Sequence, residues 1–195
     1  HFAPLLVGQD CMATEKCWDL MRRASAPYGS GGLASYAISA VDCALWDLKG
    51  KLLGRPVYQL LGGAHRTRLR VYANGWYTNP GPPEQNAEEA RRVVDMGYTA
   101  LKFDPFGQRN YYTISAAEAQ LAQDRVAAVR RAVGPHVDIL VEAHAKWNVM
   151  TAIQLGRRLE EYRPLFYEEP VSEENLSELV QVRQKVNIPI ATGER

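Results

Sequence analysis

Neither sign of charge is in excess: 23 basic residues stand against 22 acidic ones, for a net charge of +1. That balance gives no reason to expect nucleic acid or a membrane surface as a partner. No apolar run approaches the roughly 20 residues that a membrane-spanning helix requires. Cysteine is scarce, and Cys11, Cys17 and Cys43 are odd in number and lack zinc-site spacing. They read as inert thiols of a reducing compartment, so the expected location is cytoplasmic. The chain opens His1-Phe-Ala-Pro4 with neither an initiator Met nor a signal-peptide pattern, so further residues are expected to precede it. With 46% hydrophobic residues, the 195-residue chain has ordinary globular composition and can bury one sizeable core.

Two textures divide the chain. Residues 1–66 read as helical. Thr14 to Ala24 carries a helical start signal and helical apolar spacing. Ser35 to Leu53 is predicted as a second helix, with Ala37, Ile38, Val41, Ala44, Leu45 and Leu48 on one broad face. Gly54-Arg-Pro56 stops it, and Val57 to Gly63 reads as a short helix closed by glycine. Asp42 and Asp47 flank the apolar face and are read as solvated or helix-pairing residues. No chemistry is expected in this segment.

Residues 67–195 alternate strand and helix. Strands are predicted at 69–75, 99–104, 138–142, 164–168 and 188–194, and helices at 82–96, 115–133, 148–162 and 175–186. Ser115 with Glu118 forms a capping-box signature. Short links between such units imply a parallel sheet covered by helices, an α/β fold. An open doubly wound sheet is disfavoured, because no glycine-rich phosphate loop follows the first strand. A partial barrel of five β/α units is the architecture expected. A complete barrel needs about eight strands, so the chain is expected to be a portion of a longer protein.

Chemistry concentrates at the strand C-termini. Asp138-Ile-Leu-Val-Glu142, Pro164-Leu-Phe-Tyr-Glu168 and Ile188-Pro-Ile-Ala-Thr-Gly-Glu194 each close an apolar run with a carboxylate, at equal steps along the chain. In a parallel β/α barrel these ends converge on one rim. Three carboxylates there repel one another unless a cation holds them, which points to a divalent-metal site. Lys102, Asp104 and His144 end or follow neighbouring strands. His144 lies two residues after Glu142, and in an extended chain such residues face the same side.

Four stretches carry a family resemblance: Ala37-Ile-Ser-Ala-Val-Asp-Cys-Ala-Leu-Trp-Asp-Leu-Lys-Gly50, Pro56-Val-Tyr-Gln-Leu-Leu-Gly-Gly63, Tyr167-Glu-Glu-Pro170 and Ile188-Pro-Ile-Ala-Thr-Gly-Glu-Arg195. In this order they resemble the mandelate racemase/muconate lactonizing enzyme branch of the enolase superfamily. The resemblance implies that residues 1–66 are the helical part of an α+β capping domain. It implies that 67–195 are the first five β/α units of a modified TIM barrel. It also implies Mg²⁺ as cofactor, held by Glu142, Glu168 and Glu194, with Glu142 standing where Asp is more usual. Glu169 is not assigned as a ligand.

The same resemblance implies abstraction of a proton α to a carboxylate, with the metal stabilising the enediolate. Where the family often has Lys-x-Lys, this chain has Lys102-Phe-Asp104. Lys102 is therefore expected to neutralise the substrate carboxylate, and the lost second lysine argues against two-base racemisation. His144 resembles the acid of acid-sugar dehydratases, galactonate dehydratases among them, which helps the β-hydroxyl leave. The α-proton base is expected on later strands. Lys146 and Asn148, and Asn74 with Trp76 and Tyr77, are further candidates for contacts to substrate hydroxyls, and Arg195 for pairing with a neighbouring carboxylate. His65 and His136 are given no role. The reading is an Mg²⁺-dependent dehydratase of an aldonic or aldaric acid, a hydro-lyase acting on a small molecule, and a homo-oligomer by resemblance. The alternatives are a cycloisomerase or epimerase with the same metal site, and a non-catalytic fragment lacking the base.

Overall fold

The computed structural model describes residues 1–29, 31–78, 81–107 and 111–194. The chain divides into two compact units, His1–Leu69 and Arg70–Arg195. The first contains α1 (Ala3–Leu6), α2 (Thr14–Ser25), α3 (Gly32–Leu53) and α4 (Val57–Leu60). Cys17 and Met21 on α2 are buried, and α2 packs along α3. The broad apolar face predicted for α3 is only partly covered. Ile38 is buried, Val41 and Leu45 are half-buried, and Ala37, Ala44 and Leu48 are exposed. A 12-residue α2 covers one stripe of a 22-residue partner, not a whole face. Gly50 has no room for a side chain, because a Cβ would lie 2.7 Å from the Arg55 carbonyl oxygen.

The second unit is built on a parallel sheet in the order β1 (Ala100–Phe103), β2 (Asp138–Glu142), β3 (Phe166–Glu168) and β4 (Ile190–Ala191). Helices separate the strands: α5 (Pro83–Asp95) precedes β1, and α6 (Ala116–Val133), α7 (Val149–Leu159) and α8 (Leu176–Lys185) follow in turn. Sequence chemistry sets their starts. The Ser115–Glu118 capping box forms as predicted, and Asn148 and Asn175 cap α7 and α8 with their side chains.

The expected strand at 69–75 is reduced to one bridge, Ala73 opposite Leu101. Leu69, Val71 and Tyr72 are exposed there. Arg70 reaches sideways instead, to the Thr99 carbonyl at 3.0 Å and Asp138 at 2.6 Å. With few neighbours to bury its alternate side chains, an apolar run has little to hold it as a strand.

Strand alternation sorts the sheet into two faces. Leu101, Phe103, Ile139, Val141 and Tyr167 face the helices and form the core with Ala90, Val126, Val129, Leu155 and Leu159. Lys102, Glu142 and Glu168 lie on the opposite face, and Glu142 is in direct register with Glu168. The helix side is closely packed. At Gly156, a Cβ would meet Val186 at 2.8 Å. The sheet is therefore a rigid platform with its polar side chains gathered at one end of one face.

Candidate metal and acid–base site

Lys102 is the charge at the centre of that end. Its side chain is buried, and its ammonium donates to Glu142 Oε2 at 3.0 Å and Glu168 Oε2 at 2.8 Å. The Tyr72 ring lies 5.5 Å from the Nζ. Burial alone would lower the ammonium's pKa. The hydrogen bonds to Glu168 and Glu142, and their charges, outweigh it and raise the pKa above the ordinary 10.5. Burial raises the Glu168 pKa above 4.5, and the nearby Glu142 charge adds to this against the pull of Lys102. Two carboxylates sharing one ammonium cannot both be fully compensated by it.

Glu142 anchors the turn that follows β2. Its Oε1 accepts the His144 backbone N–H at 2.9 Å, and Ala145 N–H donates to the Glu169 carbonyl at 2.8 Å. His144 and Ala145 both adopt left-handed backbone, at φ 51° and 56°. Such conformations are uncommon outside glycine and collect at functional sites. His144 therefore reaches the site by a turn, not by extending the strand as the sequence pattern suggested. A ligand atom from each of Glu142, His144 and Glu194 lies within 4.8 Å of the others. Glu194 in turn has its N–H bonded to Glu169 Oε1 at 3.0 Å.

A second buried centre is Asp104. Its Oδ1 accepts the Phe106 N–H at 2.8 Å. Its Oδ2 accepts from the Lys146 ammonium and meets His144 Nδ1 at 2.9 Å. Lys146 also donates to the Gly107 carbonyl at 2.8 Å. The hydrogen bond to Asp104 raises the His144 pKa above 6.5 against the effect of burial, and the charge of Glu142 adds to it.

The other predicted contact residues are more dispersed. Asn74 is exposed and its Oδ1 accepts the Gly75 N–H at 2.9 Å. The Asn148 side chain caps α7, accepting the Thr151 N–H at 2.9 Å. The Trp76 indole donates to the Lys102 carbonyl at 2.9 Å, and Trp76, Tyr77 and Phe103 pack edge to face or tilted. Arg195 lies outside the described residues. His65 and His136 are both exposed.

Two supports beneath the site were not foreseen. Buried Glu89 on α5 accepts the Thr78 N–H at 2.9 Å and the Thr78 hydroxyl at 2.7 Å, with Gln85 at 3.0 Å. Buried Arg125 on α6 donates to the Gly81 and Pro105 carbonyls, both at 2.7 Å. Their positions among the apolar residues of helix faces were the available signal, since a charge there needs partners.

The residues present fit a hard divalent cation: convergent carboxylate oxygens at adjacent strand ends are its usual donor set. Comparison with known proteins agrees in family. A family model described as the enolase C-terminal domain-like family matches residues 85–195. A second, the mandelate racemase/muconate lactonizing enzyme N-terminal domain, matches residues 1–62. A D-gluconate dehydratase of Thermoproteus tenax is 49% identical over 159 residues, covering 82% of this chain and 32% of that protein. A D-galactonate dehydratase of Verminephrobacter eiseniae is 40% identical over 192 residues, covering 98% of this chain and 49% of that protein. The crystal structure of an enolase superfamily member from Salmonella Typhimurium superposes with a TM-score of 0.91 at 39% identity, over 100% of this chain and 54% of that one. The 3,6-anhydro-D-galactonate cycloisomerase of Zobellia galactanivorans gives 0.86 at 34% identity, over 99% and 51%. The chain spans about half or less of the length of the curated relatives it matches.

Proposed function

Because this chain belongs to the mandelate racemase/muconate lactonizing enzyme branch of the enolase superfamily, we propose that it is the capping-helix and half-barrel portion of an Mg²⁺-dependent acid-sugar dehydratase. The observation that carries the reading is the convergence of Glu142, His144 and Glu194 beside the ion-paired Lys102. The names of its relatives add the substrate class, an aldonic acid. In this reading residues 67–195 are the first β/α units of a TIM barrel. The protein works in the cytoplasm as a homo-oligomer on a small molecule, with no nucleic-acid or membrane partner.

Glu142, Glu168 and Glu194 are the proposed ligands. A divalent cation held there supplies positive charge against the substrate carboxylate. Lys102 supplies a second, fixed positive charge at the same end of the sheet. Its raised pKa keeps it protonated, which suits electrostatic stabilisation and disfavours it as the base. The α-proton is therefore assigned to a base outside these residues. His144 gives a proton to the departing β-hydroxyl as its carbon–oxygen bond breaks, so water leaves. The resulting enol gains a proton at the β-carbon, loses its hydroxyl proton to solvent and becomes a 2-keto-3-deoxy acid. Asn74, Lys146 and Asn148 complete the reading as substrate-contact candidates. Lys146 acts from its ion pair with Asp104.

Likeness to a cycloisomerase supports a second reading, in which the same α-proton chemistry closes or opens a ring. Incubation of the complete enzyme and Mg²⁺ with a panel of aldonates separates the two. Dehydration releases a keto acid lighter by one water. Exchange of the α-proton for solvent deuterium without any keto acid would overturn the dehydratase reading.

A further inference from the structure

We propose that Asp104 is a positioning residue that keeps hydrogen on His144 Nδ1, so that Nε2 is the nitrogen that holds and gives the proton in the reaction. The proposal rests on the dehydratase reading for its consequence, and on geometry alone for its content. The Asp104 side chain is 1% exposed. An ionised carboxylate has only acceptor sites. Here the Phe106 N–H occupies Oδ1, while the Lys146 ammonium and His144 Nδ1 meet at Oδ2. A carboxylate that already accepts from an ammonium on that oxygen has no proton to give, so the hydrogen between Asp104 and His144 belongs to Nδ1.

That bond also fixes the ring. The His144 backbone is held on its other side by Glu142 Oε1, and it sits in left-handed conformation. An imidazole on such a turn has no strand pleat to orient it. The Asp104 bond, crossing from the end of β1 to the turn after β2, sets its direction. Lys146 holds the carboxylate itself, tied to the Gly107 carbonyl at 2.8 Å. The departure from Lys-x-Lys at position 104 is thus given a use: an exchange of a second ammonium for an anchor of the acid. Orienting partners of this kind are as much a part of a site as the residue they hold.

The test has two arms on the intact protein. Long-range proton–nitrogen NMR of labelled histidine side chains reads the His144 tautomer without any turnover. Hydrogen on Nδ1, lost or redistributed in Asp104→Ala, is the expected result. An Nε2-only tautomer, or an unchanged spectrum in Asp104→Ala, overturns the proposal. Kinetics form the second arm. Asp104→Asn is expected to lower kcat about 10- to 100-fold with a smaller change in KM, the range for loss of an orienting partner. Combined with His144→Asn it should lower kcat no further than His144→Asn alone. Losses that multiply would show that Asp104 acts elsewhere and overturn the proposal. If the wild type dehydrates no aldonate, the functional reading fails while the tautomer measurement still decides for or against Asp104.

Discussion

Lys102 shows how one residue can serve stability and chemistry with opposite demands on its neighbours. Its ammonium compensates two carboxylates in a buried setting, so Lys102→Met leaves Glu142 and Glu168 to repel each other. Breaking a buried pair in this way costs about 3–5 kcal/mol, measured by denaturant unfolding. The pH sign follows from the raised pKa. The lysine's stabilisation is fully present below the ordinary 10.5 and disappears as pH rises through the higher folded value. For a cation the same charge is a competitor. Calorimetric titration should therefore find that Lys102→Met binds Mg²⁺ at least as tightly as wild type while turnover is lost. Much weaker Mg²⁺ binding in this variant would show that Lys102 organises the ligands and does not oppose the ion. At this scale the sequence was informative where a charge ends an apolar run, as at Glu142. It was silent where two charges meet across the sheet, as at Asp104 and Lys146, because that meeting depends on register.

Elements carry the site through their termini and their buried charges. The capping box at Ser115 was readable because it depends on residues three apart in the chain. The predicted first strand was not, because a strand exists only through its neighbours, and Leu69, Val71 and Tyr72 have too few. On α5, Glu89 binds the segment around Thr78, just beyond the aromatic cluster that braces the Lys102 carbonyl. Burial would raise its pKa, but the Thr78, Gln85 and Asn86 donors overcome this and leave it below 4.5. The stabilisation is then present above that ordinary value and is lost as pH falls through the lower folded one. Glu89→Gln should cost about 1–3 kcal/mol near neutrality, the penalty for disrupting buried hydrogen bonds. The difference from wild type should narrow on acidification. A difference that stays constant with pH would place the effect in packing, not in the carboxylate charge.

At the scale of the whole molecule, no single segment makes the proposed cation site. Its candidate ligands Glu142, Glu168 and Glu194 come from three successive β/α units, so they can converge only when the parallel sheet is formed. Binding to the folded state alone stabilises it by mass action, about 2.7 kcal/mol when the ion is present at 100 times its Kd. Thermal unfolding in Mg²⁺ can therefore count the ligands without any substrate. Two ligand sets compete. The atoms of Glu142, His144 and Glu194 lie within 4.8 Å of one another, whereas the family pattern names Glu168 in place of His144. Mg²⁺ prefers hard oxygen donors and strict octahedral geometry, which favours three carboxylates. It also leaves the imidazole, with Nδ1 on Asp104, to handle a proton. Glu168→Gln and Glu194→Gln should each abolish most of the Mg²⁺-induced stabilisation, and His144→Asn should retain it. Loss in His144→Asn with retention in Glu168→Gln would make histidine the ligand, and with it withdraw the acid role from His144.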